Sequence, residues 1–303
     1  MDSKRYYLLR IAYWLLGHLP WWVIEGLSYV LAALLYSVVR YRRKVVASNL
    51  RASFPDKSAL ELRALEWDFY EHLVHQFLSS PKILYQSRER LLSGHLTLEG
   101  VEQLGEDTAH GARAAIIMLG HLGNWEVLTA ASYAIAEEGM QLEQLYRQLN
   151  DEALDRVQRE LRSRHGAITT LKGDIGRRMV ELMRSPDAEP RAVAFIADQT
   201  PTRQHIGLWT SFLHQPTAWL DGAERIARKY DLPVYYIDIT RLSNRRYQAR
   251  FVRMSAGARS TAPGEITRLF ASLLEENIQR DPAIWLWSHK RWKHSPNEDE
   301  HID

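Results

Sequence analysis

A short apolar run that ends in a glycine and a histidine constrains the fold of this chain more than any other feature. Residues 114–119 carry no charge, and Gly120, His121 and Gly123 follow them closely. An uncharged run of this length bounded by glycine is typical of a buried parallel strand, and the next segment has the 3.6-residue period of a helix. His121 should therefore lie on the turn between them, where α/β proteins concentrate their chemistry.

The remainder of the chain repeats this alternation. From residue 96 onward, strand-like segments alternate with helical ones of about 10 to 15 residues, which predicts an α/β fold with a mainly parallel central sheet flanked by helices. We expect strands near residues 96–98, 113–119, 141–146, 167–171, 191–197, 233–240 and 247–253. We expect helices near residues 125–138, 151–164, 174–184, 217–230 and 263–279. The last two strands are predicted to form an antiparallel hairpin at the edge of the sheet.

The N-terminal part is both the most apolar and the most basic. Its first 51 residues hold eight lysine or arginine residues against two acidic ones, although the net charge of the 303-residue chain is only +2. We interpret residues 6–39 as a membrane anchor that dips into or crosses the inner leaflet, with the basic residues 40–44 facing anionic lipid on the cytoplasmic side. The longest uninterrupted apolar stretch, residues 26–39, is shorter than the roughly 20 residues of a clean span. A helical pair buried on a soluble domain is the alternative.

We expect four parts along the chain: an anchor with its basic flank at residues 1–44, a helical segment at 45–95, an α/β domain at 96–295 and a polar tail at 296–303. The chain has no cysteine, which excludes disulfides, thiolate nucleophiles and cysteine metal sites. The glycines at 120–123 lack the spacing of a nucleotide fingerprint. His72 and His75 share a helix face without a third ligand nearby, so we assign them to packing. No metal, cofactor or nucleic acid is expected.

Glu126 is the first candidate partner for His121. Two residues five positions apart on one helix point about 140° away from each other, so this pair can meet only if His121 is on the turn. Glu126 would then accept a hydrogen bond from one imidazole nitrogen and leave the other as a base for a hydroxyl. The alternative is a turn histidine followed by a favourable negative charge at a helix start.

Polar residues also follow other predicted strands. In a parallel sheet these residues converge on the edge that carries His121. Arginine and lysine at such an edge favour an anionic substrate, particularly a phosphate. The residues concerned are Tyr146, Arg147, Asn150, Lys172, Asp198 and Gln199.

The segment from Gly120 to Glu126 resembles the His-x4-Asp/Glu signature of acyltransferases, in the Gly-His-x-Gly-Asn-Trp-Glu form of the late lipid A biosynthesis (lauroyl and myristoyl) acyltransferases. This family belongs to the lysophospholipid and glycerolipid acyltransferase superfamily. Four further blocks are similar to those of the family and stand in the same order: residues 96–100, 146–150, 197–199 and 287–293. The similarity covers about residues 6–293, including the hydrophobic N-terminus.

The resemblance implies an N-terminally anchored enzyme on the cytoplasmic face of the bacterial inner membrane. Such an enzyme moves a fatty acyl chain from acyl carrier protein, its co-substrate, to a hydroxyl of a lipid A precursor similar to Kdo-lipid IVA, without a covalent acyl-enzyme. His121 would be the general base and Glu126 its orienting partner. Substrate-binding roles are expected for Asn124, Tyr146, Arg147, Asn150, Lys172, Asp198 and Gln199.

Two departures from the family pattern are visible. Asn-Pro reads Asn150-Asp151 here, which could alter acceptor selection, and His-Arg-Arg reads His289-Lys290-Arg291, which keeps the charge but loses one planar guanidinium. Another membrane acceptor, such as an aminolipid, a lysophospholipid or a mannosylated lipid, remains open, as does a non-catalytic lipid-binding protein. Acyl carrier protein is acidic, so a basic surface should receive it. Candidates for that surface are Arg241, Arg245, Arg246, Lys290, Arg291 and Lys293.

Overall fold

The structure is a computed structural model that describes residues 2–185, 187–297 and 302. Its strands are β1 (Leu96–Glu99), β2 (Ala114–Leu119), β3 (Gln141–Tyr146), β4 (Ile168–Leu171), β5 (Arg191–Ile196), β6 (Leu208–Phe212), β7 (Gln215–Trp219), β8 (Val234–Ser243) and β9 (Arg246–Ser255). Its α-helices are α1 (Asp2–His18), α2 (Trp21–Leu34), α3 (Arg43–Ser53), α4 (Ala59–Leu84), α5 (Arg88–Gly94), α6 (Glu102–Ala109), α7 (Ala131–Glu137), α8 (Glu152–Ser163), α9 (Ile175–Arg184), α10 (Gly222–Tyr230) and α11 (Glu265–Arg280). Most of the predicted polar tail lies outside the described residues.

Seven strands form the central sheet in the order β1-β9-β8-β2-β5-β3-β4. All neighbouring strands are parallel except the β8–β9 pair. Every residue of β2 is buried, as expected for a central strand covered on both faces. The predicted α/β fold with a mainly parallel, helix-flanked sheet is thus confirmed.

Two details of the predicted sheet are wrong. The β8–β9 hairpin is antiparallel as predicted, but β1 adds to β9, so the hairpin lies inside the sheet and β1 takes the edge. The start of the helix predicted over 217–230 is strand β7, which pairs with β6 in a separate two-stranded hairpin. Leu213 and His214 both have positive φ at its turn, the conformation of a tight hairpin that is usually occupied by glycine or asparagine. The hairpin buries Phe212 and Trp219, which favours it over a longer helix.

Helix α2 continues through a π-helical turn, Leu35–Val39. The resulting helix over Trp21–Val39 has 19 residues and a mean hydropathy of 1.7, so its length and composition suffice to cross a membrane. One face of α2 is buried at Ile24, Ser28 and Ala32, where the helix packs along α4. The other face is exposed and apolar, with Trp22, Tyr29, Val30, Leu34 and Val38. An apolar face of this kind suits contact with lipid.

Helix α1 packs against the α/β part of the chain. The hydroxyl of Tyr6 donates to the Glu160 carboxylate across 2.7 Å, and Gln158 donates to the Tyr13 hydroxyl across 2.8 Å. Helices α1 and α8 are therefore held together by polar contacts as well as apolar ones. The residues of α3 and α4, including Val46 and Phe69, join the same hydrophobic core as β2.

Candidate active site

Two glycines allow the turn after β2 to pack closely against neighbouring side chains. A Cβ atom on Gly120 would lie 2.6 Å from the side chain of Leu274. Gly123 has φ +55°, and a Cβ atom there would lie 2.8 Å from the ring of Tyr247. Its N–H donates to the carbonyl of Ile284 across 3.0 Å. Because a side chain at either position would push the turn outward, both glycines set the position of His121 between them.

His121 is held by the carboxylate of Asp198, which follows the neighbouring strand β5. Its Nδ1 atom lies 2.6 Å from Oδ1 of Asp198, and its backbone N–H donates to Oδ2 across 2.8 Å. The indole Nε1 of Trp285 also donates to Oδ2 across 2.8 Å. Burial raises the pKa of Asp198, but the charge and hydrogen bonds of His121 and the bond from Trp285 outweigh it and lower the pKa to about 2. Asp198 is therefore a carboxylate at neutral pH.

The second imidazole nitrogen faces the open side of the site. With Nδ1 donating to Asp198, Nε2 of His121 carries the lone pair and accepts a hydrogen bond from the side-chain amide of Gln199 across 3.2 Å. Gln199 is exposed, and the His121 side chain is 15% accessible. The ring of Trp125 meets the imidazole edge to face at 5.0 Å. This arrangement presents Nε2 as a proton acceptor to a bound hydroxyl.

The predicted contact between His121 and Glu126 is wrong. The Glu126 carboxylate forms a two-pronged ion pair with Arg162 on α8, at 2.6 and 3.0 Å. A planar guanidinium matches both carboxylate oxygens at once, so this pairing outcompetes a single bond to an imidazole. Glu126 joins the turn to α8 instead of orienting the base, and no spacing in the sequence pointed to Arg162.

Asn124, a predicted substrate-binding residue, is bonded to helix α4 in the structure. Its side chain is buried and donates to the hydroxyl of Ser79 across 3.2 Å, while its carbonyl oxygen lies 3.4 Å from the hydroxyl of Ser80. Both serines belong to α4. Because the amide nitrogen donates to one serine and the amide oxygen accepts from the next, Asn124 ties the turn to α4.

The remaining predicted residues lie along the same sheet edge. Strand order places the ends of β2, β5, β3 and β4 side by side, so Arg147 is two strands from His121, or roughly 10 Å at the usual strand spacing. Tyr146 pairs in register with Leu171, which brings Lys172 next to Arg147. Surrounding protein and then the charge of Arg147 lower the pKa of Lys172.

Arg147, Asn150 and Lys172 are exposed, whereas Tyr146 is half-buried beneath the guanidinium of Arg159 at 5.9 Å. Neither Arg147 nor Lys172 forms an ion pair with any described carboxylate. Two neighbouring cations without a protein counter-charge can bind an anionic group.

Nearly the whole chain matches the model of one protein family. The model for bacterial lipid A biosynthesis acyltransferases matches residues 2–294. The chain belongs to this family. The match covers the N-terminal helices as well as the sheet, and it confirms the resemblance carried by the motif at 120–126. A search of curated proteins found none that matches the chain. Membership in a membrane-associated family and the apolar helix over Trp21–Val39 together indicate membrane attachment of this acyltransferase.

The C-terminal segment of the acyltransferase completes the site. Nε2 of His289 accepts the backbone N–H of Thr200 across 3.2 Å. Burial lowers the pKa of His289 to about 4, although Asp198 acts in the opposite direction, so this histidine is neutral at neutral pH. Trp285 was missed by sequence reasoning, although it lies only two residues before the block at 287–293 that is similar to the family.

The structure leaves only some of the residues predicted for the basic docking surface exposed and without an ion pair to any described residue. Arg291 is buried, Arg241 forms a two-pronged ion pair with Asp281, and Arg245 pairs with Glu25 at 3.3 Å. Lys290 and Lys293 remain exposed, as does Arg246. Within the N-terminal basic cluster, Arg42 donates to the carbonyl of Ser288 and Arg43 pairs with Glu66, so these two bind protein as well.

Proposed function

We propose that this acyltransferase moves a fatty acyl chain from acyl carrier protein to a hydroxyl of a lipid A precursor at the cytoplasmic face of the inner membrane. The observation that carries the proposal is the relay from Asp198 through His121 to an accessible Nε2 atom at the edge of the sheet. A histidine oriented in this way can deprotonate an alcohol, which is the step that an acyl transfer to a hydroxyl needs.

The reaction needs no covalent acyl-enzyme. The acceptor oxygen attacks the thioester carbonyl while its proton passes to Nε2 of His121. The tetrahedral intermediate then expels the thiolate of the carrier. This thiolate receives the proton from the imidazolium and leaves as a thiol. Asp198 stabilises the imidazolium between the two transfers, as the carboxylate of a catalytic triad does. The side-chain amide of Gln199, which contacts Nε2 of His121 before the acceptor binds, is the donor that we assign to the developing oxyanion.

The acceptor is recognised in this proposal by its charge and by the membrane. Arg147 and Lys172 bind an anionic group of the lipid, roughly 10 Å or more from the reacting hydroxyl. The apolar face of α2 holds the enzyme at the lipid surface. The exposed Lys290 and Lys293 beside the site attract the acidic carrier protein. No metal ion or other cofactor enters these steps.

The test uses full-length protein in detergent, an acyl carrier protein charged with a fatty acid, and a lipid A precursor. His121→Ala should retain its fold and lose acyl transfer by about 10²-fold to 10⁴-fold. His110→Ala is the matched control, because His110 is exposed and follows α6, before β2 begins. Mass spectrometry of lipids from a deletion strain should show lipid A short of one acyl chain. Full activity of the His121 variant, or intact lipid A with a different lipid missing, would contradict the proposal.

A further inference from the structure

The segment that carries Trp285 lies between the Asp198 carboxylate and the N-terminal helices. This segment, residues 285–291, follows α11 after a short turn, and we call it the C-terminal strap. Trp285 and Leu122 form an isolated antiparallel bridge, so the strap runs directly beside the turn that holds His121. Because Trp285 is only 3% exposed, its indole N–H needs a partner within the protein. That partner is the Asp198 carboxylate, at 2.8 Å.

The bond from Trp285 decides which way the carboxylate points. Oδ2 of Asp198 accepts both the indole N–H of Trp285 and the backbone N–H of His121, each across 2.8 Å. With Oδ2 held by two donors, Oδ1 is left to face Nδ1 of the imidazole at 2.6 Å. The carboxylate cannot rotate away from the ring without breaking one of these bonds, so the imidazole keeps the orientation that a base requires.

Side chains from the N-terminal helices also hold the strap. The side-chain amide nitrogen of Asn49, on α3, donates to the carbonyls of Trp287 and His289 across 2.9 and 3.0 Å. The guanidinium of Arg42, directly before α3, donates to the carbonyl between them, that of Ser288, across 2.9 Å. Three consecutive carbonyls of the strap thus accept hydrogen bonds from one short stretch of the N-terminal part, which fixes the strap backbone close to the indole.

The strap is bonded to the loop of the carboxylate as well. Thr200, two residues after Asp198, donates its N–H to Nε2 of His289 across 3.2 Å and its hydroxyl to the carbonyl of Arg291 across 2.6 Å. Hydrogen bonds therefore run from α3 through the strap to the loop that orients the base. Helix α3 in turn follows the apolar helix over Trp21–Val39 within a few residues.

We propose that Asn49 and Arg42 are positioning residues, which act on the proton relay through Trp285. By holding the strap, they keep the indole N–H on Oδ2 of Asp198 and thereby keep Oδ1 aimed at the imidazole. The helices next to the membrane then contribute to the rate of acyl transfer as well as to attachment. This inference rests on the proposed function of Asp198 and His121 as the relay.

The test measures acyl transfer by full-length variants in detergent. Asn49→Ala and Arg42→Met should each lower kcat by about 10-fold, the effect of one hydrogen bond, and leave KM within about twofold of the wild type. Trp285→Phe keeps an aromatic ring but has no donor, so it should show a similar loss. A higher KM with an unchanged kcat in Arg42→Met would show that Arg42 binds lipid, and would contradict the inference for this residue.

Two matched controls should keep the wild-type rate. Trp292→Phe removes an indole that donates to a threonine hydroxyl and whose ring lies 5.9 Å from that of Trp285, so it reports on the aromatic cluster without the carboxylate. Arg51→Met removes an exposed arginine from the last turn of α3. Equal losses in the controls would show that any change in these regions lowers the rate, which would refute a specific role of the strap bonds.

A double-mutant cycle tests whether Asn49 acts through Trp285. In the Trp285→Phe background, the further change Asn49→Ala should lower kcat by less than about twofold, because the bond that Asn49 protects is already absent. Losses that multiply in the double variant would mean that the two residues act independently, and the inference would then be wrong.

A spectroscopic measurement separates this inference from the assigned reaction. In protein labelled with ¹⁵N-tryptophan, the Trp285 indole signal is identified by its loss in Trp285→Phe, and its proton should move upfield in Asn49→Ala as the bond to Asp198 weakens. This readout requires no substrate, so it stands even if the acceptor is another lipid. An unchanged indole signal in both Asn49→Ala and Arg42→Met would overturn the inference. Loss of folding in both variants would overturn it too, because their bonds would then be needed for the fold.

Discussion

The Nδ1 atom of His121 lies 2.6 Å from Oδ1 of Asp198, a residue 77 positions further along the chain. The two residues meet because β2 and β5 are neighbouring parallel strands whose carboxyl ends lie at the same edge of the sheet. The contact fixes the imidazole tautomer and leaves Nε2 as an acceptor, which the exposed Gln199 amide contacts at 3.2 Å. The proposed base of this lipid A acyltransferase therefore has a partner from outside the local motif.

Replacing Asp198 by asparagine should lower kcat by about 10²-fold to 10⁴-fold with little change in KM. An amide cannot stabilise the imidazolium, and it can stabilise the wrong tautomer. Steady-state rates of acyl transfer measure the effect. Asp174→Asn is the control that should keep its rate, because Asp174 lies in the turn after β4 and is bonded to Arg177 on the surface. Near-normal activity of Asp198→Asn would rule out the relay.

Glu126 should act on the reaction through Arg162. Glu126→Gln and Arg162→Gln each break the same partly buried ion pair. We expect similar losses of activity and stability from each change, and a double variant that is little worse than either, because the second change removes a partner already lost. A double-mutant cycle on kcat/KM and on the free energy of unfolding measures this coupling. If Arg162→Gln were fully active while Glu126→Gln were not, Glu126 would have to contact the base directly.

Arg147 and Lys172 should discriminate between acceptors by charge. Arg147→Gln and Lys172→Gln should each raise KM for a phosphorylated acceptor by about 10-fold, equal to the loss of one charge-assisted hydrogen bond, with less effect on a dephosphorylated acceptor. Arg177→Gln is the comparison, since Arg177 already pairs with Asp174 and Glu181. Equal effects on both acceptors would remove the anion-binding role.

His72 should make the protein sensitive to acid. Burial, followed by the charges of Arg241 and His75, lowers the pKa of His72 to about 3 from an ordinary value of 6.5. Between these pH values the unfolded chain binds a proton that the folded protein does not. Stability should therefore be complete above about pH 6.5 and fall on acidification by up to about 1.4 kcal/mol per pH unit for this group.

Urea unfolding of His72→Leu should show a shallower decline over the same pH range. His110→Leu is the control, because His110 is exposed. Parallel curves for the wild type and His72→Leu would show that His72 does not carry the acid sensitivity.

The exposed face of the helix over Trp21–Val39 should govern membrane attachment. Val30 and Val38 are 62% and 71% exposed, so Val30→Asp and Val38→Asp add charge without disturbing the packing on α4. A charge on a lipid-facing position costs about 3 kcal/mol near the bilayer centre. Flotation with vesicles should show less bound protein at an unchanged melting temperature. Leu269→Asp, on α11, provides the control, and equal binding of all variants would place the lipid contact elsewhere.

Local patterns predicted most of the sheet and failed where pairing depends on distant residues. Strand β3 matches its predicted bounds, and β2 and β5 differ from theirs by one residue at one end, because apolar runs with clear ends define buried strands. The β6–β7 hairpin was missed because its turn residues, Leu213 and His214, adopt positive φ without glycine or asparagine. The edge position of β1 depends on its pairing with β9, about 150 residues later in the chain.

The amino-acid sequence was sufficient to place His121 on a turn after a buried strand and to align Arg147, Lys172 and Asp198 at the same edge, because periodicity and strand ends are local properties. The partner of the imidazole was decided by the folded arrangement of β2 beside β5. Sequence spacing favoured Glu126, which is near in the chain, whereas Arg162 on α8 takes that carboxylate and Asp198 approaches the ring. Hydrogen bonds depend on distance and direction in space, and spacing along the chain reports these only within one element.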